Sequence, residues 1–401
     1  MEDENDGIDD RSSTFNSFHY HNVELRSDMK TLPTRKMREA VLEAEVGDNK
    51  LTEVDPSVQK LEDYVKKLFG KEYGLFVTTG AMANLIIALM YANPINFKKD
   101  EFIIVGDVSY FMIVEVATAY ISGLNYIPVK TLQNGLFDFT NEAELEKILV
   151  DYYTKNKVPL SFEQFLAKIK LLFVENTHNF SGGKMLPVDY GSTLKSICSN
   201  LGKKYPQFNL KMAIDSSRIL HSAVEQNVDP SVLVKDYEIC HISCTKAIGG
   251  PIGNIMCFNN EADYKRARYL RKGCGGFMRQ GGVAAIMILV GLENIYEKIR
   301  HDHKNAKLLA SGVSKIKGVK VDDVHTNIVR FFLEGNLKGK EDLIIKIFAQ
   351  KYKIYFLKFW MDDYFIRACF HYQVSTKQTE YVVKCFEKVI GEVRQMDTFK
   401  F

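Results

Sequence analysis

No apolar run in this sequence is long enough to cross a bilayer. The longest, Met82 to Ala92, is about 11 residues and contains Asn84, against roughly 20 for a spanning helix. An excess of one charge is missing too. The 401 residues hold 53 Lys+Arg against 50 Asp+Glu, a formal net charge of +3. No Lys/Arg block with interleaved aromatics is present to follow a phosphate backbone. Neither a membrane nor a nucleic acid is therefore an expected partner. The opening MEDENDGIDD offers neither the basic start and apolar run of a signal peptide nor the arginines of a transit peptide. The seven cysteines (198, 240, 244, 257, 274, 369 and 385) are odd in number and scattered. Only Cys240 and Cys244 lie near each other, and no second Cys/His pair completes a zinc pattern. Free thiols, no metal and a cytoplasmic location are the expectation. Also missing are a G-x-S-x-G elbow, a Walker loop and an H-E-x-x-H helix, so hydrolase, nucleotide and zinc-protease readings have no support.

What is present is a core of ordinary size. Hydrophobic residues make up 46% and charged residues 26%, values typical of a globular chain. Residues 1–20 are acidic, polar and without hydrophobic period, and read as a disordered tail. Val58, Leu61, Val65 and Leu68 recur at helical spacing after Pro56, with Gly70 as the terminating residue. Short apolar runs follow at Tyr73–Thr78, Glu101–Val105, Asn125–Val129, Leu171–Val174, Lys211–Ile214 and Ile239–Ser243. Alternating with helices, they predict an α/β fold with a mostly parallel central sheet covered on both faces. Residues 21–283 form the expected large domain. Residues 284–401, with strands at Asn327–Leu333 and Phe365–Phe370, form a smaller C-terminal α+β domain. Residues 151–170, rich in Lys and Tyr, read as a surface elaboration.

The apolar runs end in polar clusters, where parallel sheets gather ligands. Lys246 follows one run and precedes Gly249, Gly250 and Gly253. A lysine amine forms a Schiff base when desolvation lowers its pKa, although spacing alone favours a surface lysine entering a loop. Asp215 ends another run, either as a helix cap or as a carboxylate that keeps a pyridine nitrogen protonated. Arg218, three residues on, reaches the same place if a helix continues. Thr78–Asn84 is a strand–turn–helix whose backbone N–H groups suit a phosphate. His178 serves as a base, as a cover for a ring, or structurally. Gly273–Gly282 packs five glycines around Arg279, which demands unusual backbone geometry or a close approach.

Taken in order, these stretches resemble the low-specificity threonine aldolases, pyridoxal-phosphate enzymes of the aspartate-aminotransferase-like fold type I. The resemblance is carried by Leu25-Arg26-Ser27-Asp28, Thr79-Gly80-Ala81-Met82-Ala83-Asn84-Leu85, Glu175-Asn176-Thr177-His178-Asn179, Asp215-Ser216-Ser217-Arg218, Ser243-Cys244-Thr245-Lys246, Gly275-Gly276-Phe277-Met278-Arg279-Gln280, and Arg367 with His371. It covers residues 22–395. It implies that Lys246 holds pyridoxal phosphate covalently and that Asp215 faces its ring nitrogen. Arg218 would contact the ring hydroxyl side and the substrate carboxylate, with Ser27 and Arg367 completing the carboxylate site. Gly80 and Ala81 would bind the phosphate through backbone N–H groups. Arg279 would reach the phosphate of a neighbouring subunit, which makes the protein a homo-oligomer, dimer or tetramer, with sites at subunit interfaces. His178 would lie near the substrate hydroxyl. The implied reaction splits threonine or allo-threonine into glycine and acetaldehyde.

Four positions depart from the family pattern. Tyr110 stands where the family has a stacking histidine, and a tyrosine, with an ordinary pKa of about 10, is a poor base. Ala81 replaces a hydroxyl residue. Ser216-Ser217 replaces Gly-Ala. The loop Asp48-Asn49-Lys50-Leu51-Thr52-Glu53 lacks the family tyrosine. A cofactor-binding homologue with little aldolase activity is therefore the alternative, with another lyase or a racemase on the same cofactor as a third.

Overall fold

The computed structural model describes residues 22–50, 53–92, 100–360 and 364–398. The acidic segment 1–20 lies outside them. A short strand β1 (Val23–Glu24) precedes the seven strands of the main sheet: β2 (Tyr73–Val77), β3 (Phe102–Gly106), β4 (Asn125–Val129), β5 (Ile169–Glu175), β6 (Lys211–Asp215), β7 (Ile239–Ser243) and β8 (Asn254–Phe258). Their spatial order is β2-β8-β7-β6-β5-β3-β4. Only β8 runs against its neighbours; the remaining pairs are parallel. Every strand suggested by an apolar run is present within one or two residues. β8 was not among them, since its run follows the glycines after Lys246 without a polar break.

The side chains of this sheet alternate between two cores, as the two-residue period of a strand requires. Ile104, Leu172, Val174, Met212, Ile214, Cys240 and Ile242 face one; Ile103, Val105, Leu171, Phe173, Ala213 and Ile239 face the other. The same alternation fixes the strand ends. Glu175, Asp215 and His241 are cross-strand neighbours in register and share the face of Phe173, Ala213 and Ile239. Ala83, Ile86 and Ile87 of helix Gly80–Tyr91 cover that face. This helix is apolar all round because it is buried, as expected of such a composition.

The sequence reading of residues 151–170 as a surface elaboration is corrected by the structure. Helices Glu142–Lys155 and Phe162–Lys168 are amphipathic, and their apolar sides close the β3–β5 side of the main core. Phe165 and Leu166 are fully buried. Phe165 packs edge-on against Phe102 at 5.0 Å and stacks on Tyr152 at 6.1 Å. The lysines that suggested a surface are the solvent side of these helices.

Helix Gly282–Leu292 packs against helix Pro56–Leu68. In helix Ile295–Val313, Ile295 and Ile299 belong to the main core, whereas Ala306, Leu309 and Val313 belong to a separate C-terminal core. That core lies on an antiparallel sheet, in the order β12-β13-β10-β9, formed by β9 (Val319–Val321), β10 (Ile328–Leu333), β12 (Leu357–Trp360) and β13 (Tyr364–Cys369). β11 (Ile354–Tyr355) pairs in parallel with β1. This pairing, with Leu25 N donating to Tyr355 O at 2.9 Å and Cys369 N to Leu25 O at 2.8 Å, delivers Ser27 and Asp28 to the end of the main sheet. No helix among the described residues is long and apolar enough to cross a membrane.

Candidate active site

The polar clusters converge at the carboxyl ends of β5, β6 and β7. Asp215, the last residue of β6, is buried, and its Oδ1 accepts from Ser217 N at 2.9 Å. Burial alone would raise its carboxyl. The positive side of His241, the Lys246 ammonium and the Ser217 hydrogen bond outweigh burial and hold it below the ordinary carboxylate range. Lys246 follows β7 in a turn closed by Gly249 N to Lys246 O at 3.0 Å and Gly250 N to Cys244 O at 2.8 Å. Gly249 is at φ +77°, and a Cβ there would meet Tyr372 Oη at 2.4 Å. Glycine is therefore required for this turn to lie under Tyr372. Burial, then the Arg218 guanidinium, push the Lys246 amine below its usual range, against the pull of Asp215, Asp28 and Glu175. These are the conditions for a reactive amine.

Arg218 and Arg367 form the cationic floor. Arg218 is buried and turns its fork to Asp28, Nε to Oδ2 at 2.6 Å and Nη2 to Oδ1 at 2.8 Å. Arg367 comes from β13 across the C-terminal sheet. Its Nη2 donates to Arg26 O at 2.9 Å, and its Nε is buried with no partner. Its guanidinium lies 4.3 Å over the Phe359 ring. Asn179 joins the two: its Oδ1 accepts from Arg218 Nη1 at 3.2 Å and from Arg367 Nη1 at 3.1 Å. Ser27 is half-buried beside them and caps the turn Asp28–Lys30, its Oγ accepting from Met29 N at 3.2 Å.

His178 is buried, and burial pushes its imidazole down to about 3. Its Nδ1 accepts from Ser181 N at 3.2 Å, which leaves the proton on Nε2, 3.4 Å from Glu175 Oε1. A Cβ on Gly135 would lie 2.8 Å from His178 Cβ, so that loop fixes the ring from behind. Glu175 also accepts from Tyr110 N at 2.8 Å and Asn179 N at 3.0 Å. Burial and the nearby Asp215 charge nevertheless push its carboxyl up to about 8. A cavity of about 10 Å³, room for about one water, is bordered by Ser109, Glu175, His178 and Tyr190. Tyr110, half-buried at the start of helix Tyr110–Ile113, has its hydroxyl pushed up by burial and by the charges of Glu115 and Asp215.

Gly80 and Ala81 are the first residues of helix Gly80–Tyr91, ahead of the Met82 N–H that Thr79 Oγ1 caps at 3.0 Å. Ser216 turns its hydroxyl away, donating to His241 O at 2.7 Å. Arg279 does not join this cluster. It is exposed in the glycine-rich loop, and its Nη1 donates to Asp48 at 2.9 and 3.0 Å. Within one chain the site thus gathers Ser27, Gly80, Ala81, Tyr110, His178, Asp215, Arg218, Lys246 and Arg367. Sequence reasoning gave no role to Asp28, Asn179, Glu175 or His241. For Glu175 and His241, the strand alternation that places Asp215 was an available signal. For Asp28 and Asn179 only the matched motifs contained them.

The donor set fits the pyridoxal phosphate that the resemblance implies. It offers a desolvated amine at Lys246, an ionised carboxylate at Asp215 and a helix start at Gly80. The unpartnered Arg367 Nε adds a donor for a carboxylate. Among the described residues no group of three or more His, Cys, Asp or Glu is placed to hold a metal ion.

Residues 24–335 match the beta-eliminating lyase family. The chain is 31% identical to low-specificity L-threonine aldolase 1 of Arabidopsis thaliana over 92% of its own length and 96% of that protein's. It is 32% identical to the low specificity L-threonine aldolase of Escherichia coli (strain K12) over 72% and 78%. The threonine aldolase of Leishmania major shares the fold with a TM-score of 0.71 at 17% identity, covering 92% of this chain and 99% of that one. Sequence and architecture agree, and the chain belongs to the beta-eliminating lyase family.

Proposed function

We propose that this protein is a pyridoxal-phosphate-dependent aldolase that cleaves threonine, allo-threonine and related β-hydroxy-α-amino acids to glycine and an aldehyde. The relatives named above support the activity, and the observation that carries the substrate class is Arg367. Its buried Nε has no partner, a cost of about 1–3 kcal/mol or more for a charged group. An amino-acid carboxylate arriving between Arg367 and Ser27 removes that cost.

Bound pyridoxal phosphate supplies an electron sink conjugated to the substrate α-carbon. Lys246 would hold it through Nζ, Asp215 would pair with its ring nitrogen, and the Gly80 and Ala81 N–H groups would take the phosphate. Tyr110 would cover the ring. Arg367, with Ser27, fixes the carboxylate and so sets which α-carbon bond is turned for cleavage. Arg218, held by Asp28 and Asn179 through three of its five N–H donors, would turn the remaining N–H groups to the ring hydroxyl side and the substrate carboxylate. On the His178 side the β-hydroxyl proton would pass to the ionised fraction of the Glu175 carboxyl. There Glu175, with a carboxyl near 8, holds or releases a proton close to neutral pH. Lys246 Nζ, whose pKa burial lowers, would hold the cofactor and would be the amine able to return a proton to the α-carbon.

The protein would act in the cytoplasm as a homo-oligomer, a dimer or tetramer with sites at subunit interfaces. Arg279 is exposed, and Ile113, Val114, Val116, Tyr120 and Ile121 form an exposed apolar stretch beside Tyr110, as a subunit contact requires. The division into a large domain and a C-terminal domain belongs to the same reading.

One observation favours the alternative of a cofactor-binding homologue with low aldolase activity. Tyr110 is a weak base, and both nitrogens of His178 are engaged by Ser181 and Glu175. Assay of glycine and acetaldehyde from L-threonine and L-allo-threonine, with spectra of the cofactor, separates the two. Product formation supports the aldolase. A full cofactor signal without product at saturating substrate supports the binding protein.

A further inference from the structure

Beside Asp215 lies a second buried polar side chain, a histidine with no place in the chemistry described so far. His241 is fully buried on β7, in register with Asp215 on β6. Its Nε2 is 2.9 Å from Asn84 Oδ1 and its Nδ1 is 3.0 Å from Asn254 Nδ2. The amides fix the tautomer. Asn84 Oδ1 only accepts and Asn254 Nδ2 only donates, so the proton sits on Nε2. The Nε2 nitrogen itself is 3.8 Å from Asp215 Oδ1, beyond hydrogen-bond distance but close enough for its field to act on the carboxylate. Burial keeps the ring neutral, so it presents an oriented dipole to the carboxylate rather than a second full charge.

The clamp draws on three separate elements. Asn84 comes from the first turns of helix Gly80–Tyr91, Asn254 starts β8 opposite Ser243, and His241 is on β7. A Cβ on Gly80 would sit 3.5 Å from Asn254 Nδ2, so the clamp also reaches the helix start. Beyond Asn84 lies Glu115, whose carboxyl, raised to about 7 by burial and by Asp215, has an oxygen buried without a partner. The charged and titratable groups around the imidazole are thus Asp215, Lys246 and, through Asn84, Glu115. An apolar residue at position 241 would strand two buried amides, which argues that the site retains a polar ring here for its orientation.

We propose that His241 is a positioning residue: clamped by Asn84 and Asn254, it holds the Asp215 carboxylate in place for the cofactor ring nitrogen and ties it to the helix start that takes the phosphate. This rests on the functional reading above and goes beyond it.

The test is a double-mutant cycle on affinity for pyridoxal phosphate, measured by equilibrium dialysis with the apoprotein for wild type, H241L, D215N and H241L/D215N. H241L is expected to weaken binding about tenfold and to have little further effect in the D215N background. H241Q, whose amide nitrogen comes near the Nε2 position, is expected to recover most of the affinity. Additive losses in the cycle, or H241Q no better than H241L, overturn the proposal. If H241L does not fold, H241T replaces it in the cycle, its hydroxyl satisfying one amide: threefold or greater coupling supports the proposal and additivity overturns it. Wild-type protein that takes up no pyridoxal phosphate overturns the functional reading and this inference with it. An additive cycle in protein that does take it up overturns the inference alone.

Discussion

Arg218 spends its guanidinium fork on Asp28, with Nε and Nη2 donating to the two carboxylate oxygens at 2.6 and 2.8 Å. Both side chains are buried, and Asp28 is held far below the ordinary carboxylate range against the opposing effect of burial. The pair therefore fixes Arg218 as part of the floor and leaves Arg367 as the guanidinium whose Nε is buried without a partner. Removing the charge from one partner strands the other in the interior. Asp28→Asn is expected to cost about 3–5 kcal/mol of stability, read as a lower Tm by calorimetry, with weaker cofactor uptake. An unchanged Tm would mean that the pair is not buried as described.

Arg367 makes a different prediction. Its Nε lacks a partner while Nη1 and Nη2 are engaged by Asn179 and Arg26. Arg367→Ala is expected to raise KM for L-threonine about 10- to 100-fold, the worth of a charge-assisted hydrogen bond, with a smaller change in cofactor affinity. A fall in cofactor affinity as large as the rise in KM would move Arg367 from the substrate to the cofactor.

Lys246→Ala is expected to remove covalent attachment. Borohydride reduction followed by peptide mapping should find the cofactor on Lys246 in wild type and nowhere in the variant, and activity should fall about 10³-fold or more. Cofactor fixed covalently to the variant would refute the assignment.

Tyr110→His tests the departure at this position. The tyrosine hydroxyl is pushed up by burial, Glu115 and Asp215, so it holds its proton at neutral pH. If a base belongs here, the histidine variant should raise kcat tenfold or more. An unchanged kcat with an altered cofactor spectrum restricts residue 110 to covering the ring.

Glu175 gives a pH dependence with a definite sign. Its carboxyl lies near 8 in the folded chain, raised by burial and then by Asp215, against an ordinary value of about 4.3. Between these values the folded state binds the extra proton, so this group lowers stability as pH rises from about 5 to 8. Glu175→Gln cannot ionise. Relative to wild type its Tm should therefore rise by about 2 °C or more over that interval, read by scanning fluorimetry. A constant difference would mean that Glu175 is ionised throughout.

How far the sequence reached can be followed at single residues. Lys246, Asp215 and Arg218 stand at or just past strand ends that apolar runs announce, so their convergence follows from a parallel sheet gathering its carboxyl ends. The roles proposed for them come from the family motifs, not from spacing. The helical signals failed at residues 151–170, where charged residues outnumber the few aromatics that decide burial, and Phe165 is visible as a core residue only once Phe102 lies opposite it. β8 was hidden because it is the one antiparallel strand of this sheet among the described residues, and one of its two partners lies more than 170 residues earlier, with Val77 opposite Asn254.

By itself the sequence determined the α/β class, the sheet strands that end at the site, the absence of a spanning helix among its apolar runs, and the set of groups able to serve one cofactor. These are local properties: period, turn residues and motif identity. Only the tertiary structure decided which of the two arginines keeps a nitrogen without a partner, which nitrogen of His178 carries the proton, and that His241 stands between Asn84 and Asp215. Each of these depends on which hydrogen-bond partner is nearest across distant parts of the chain. Burial then makes that choice binding, because a polar group without its partner there is too costly to leave.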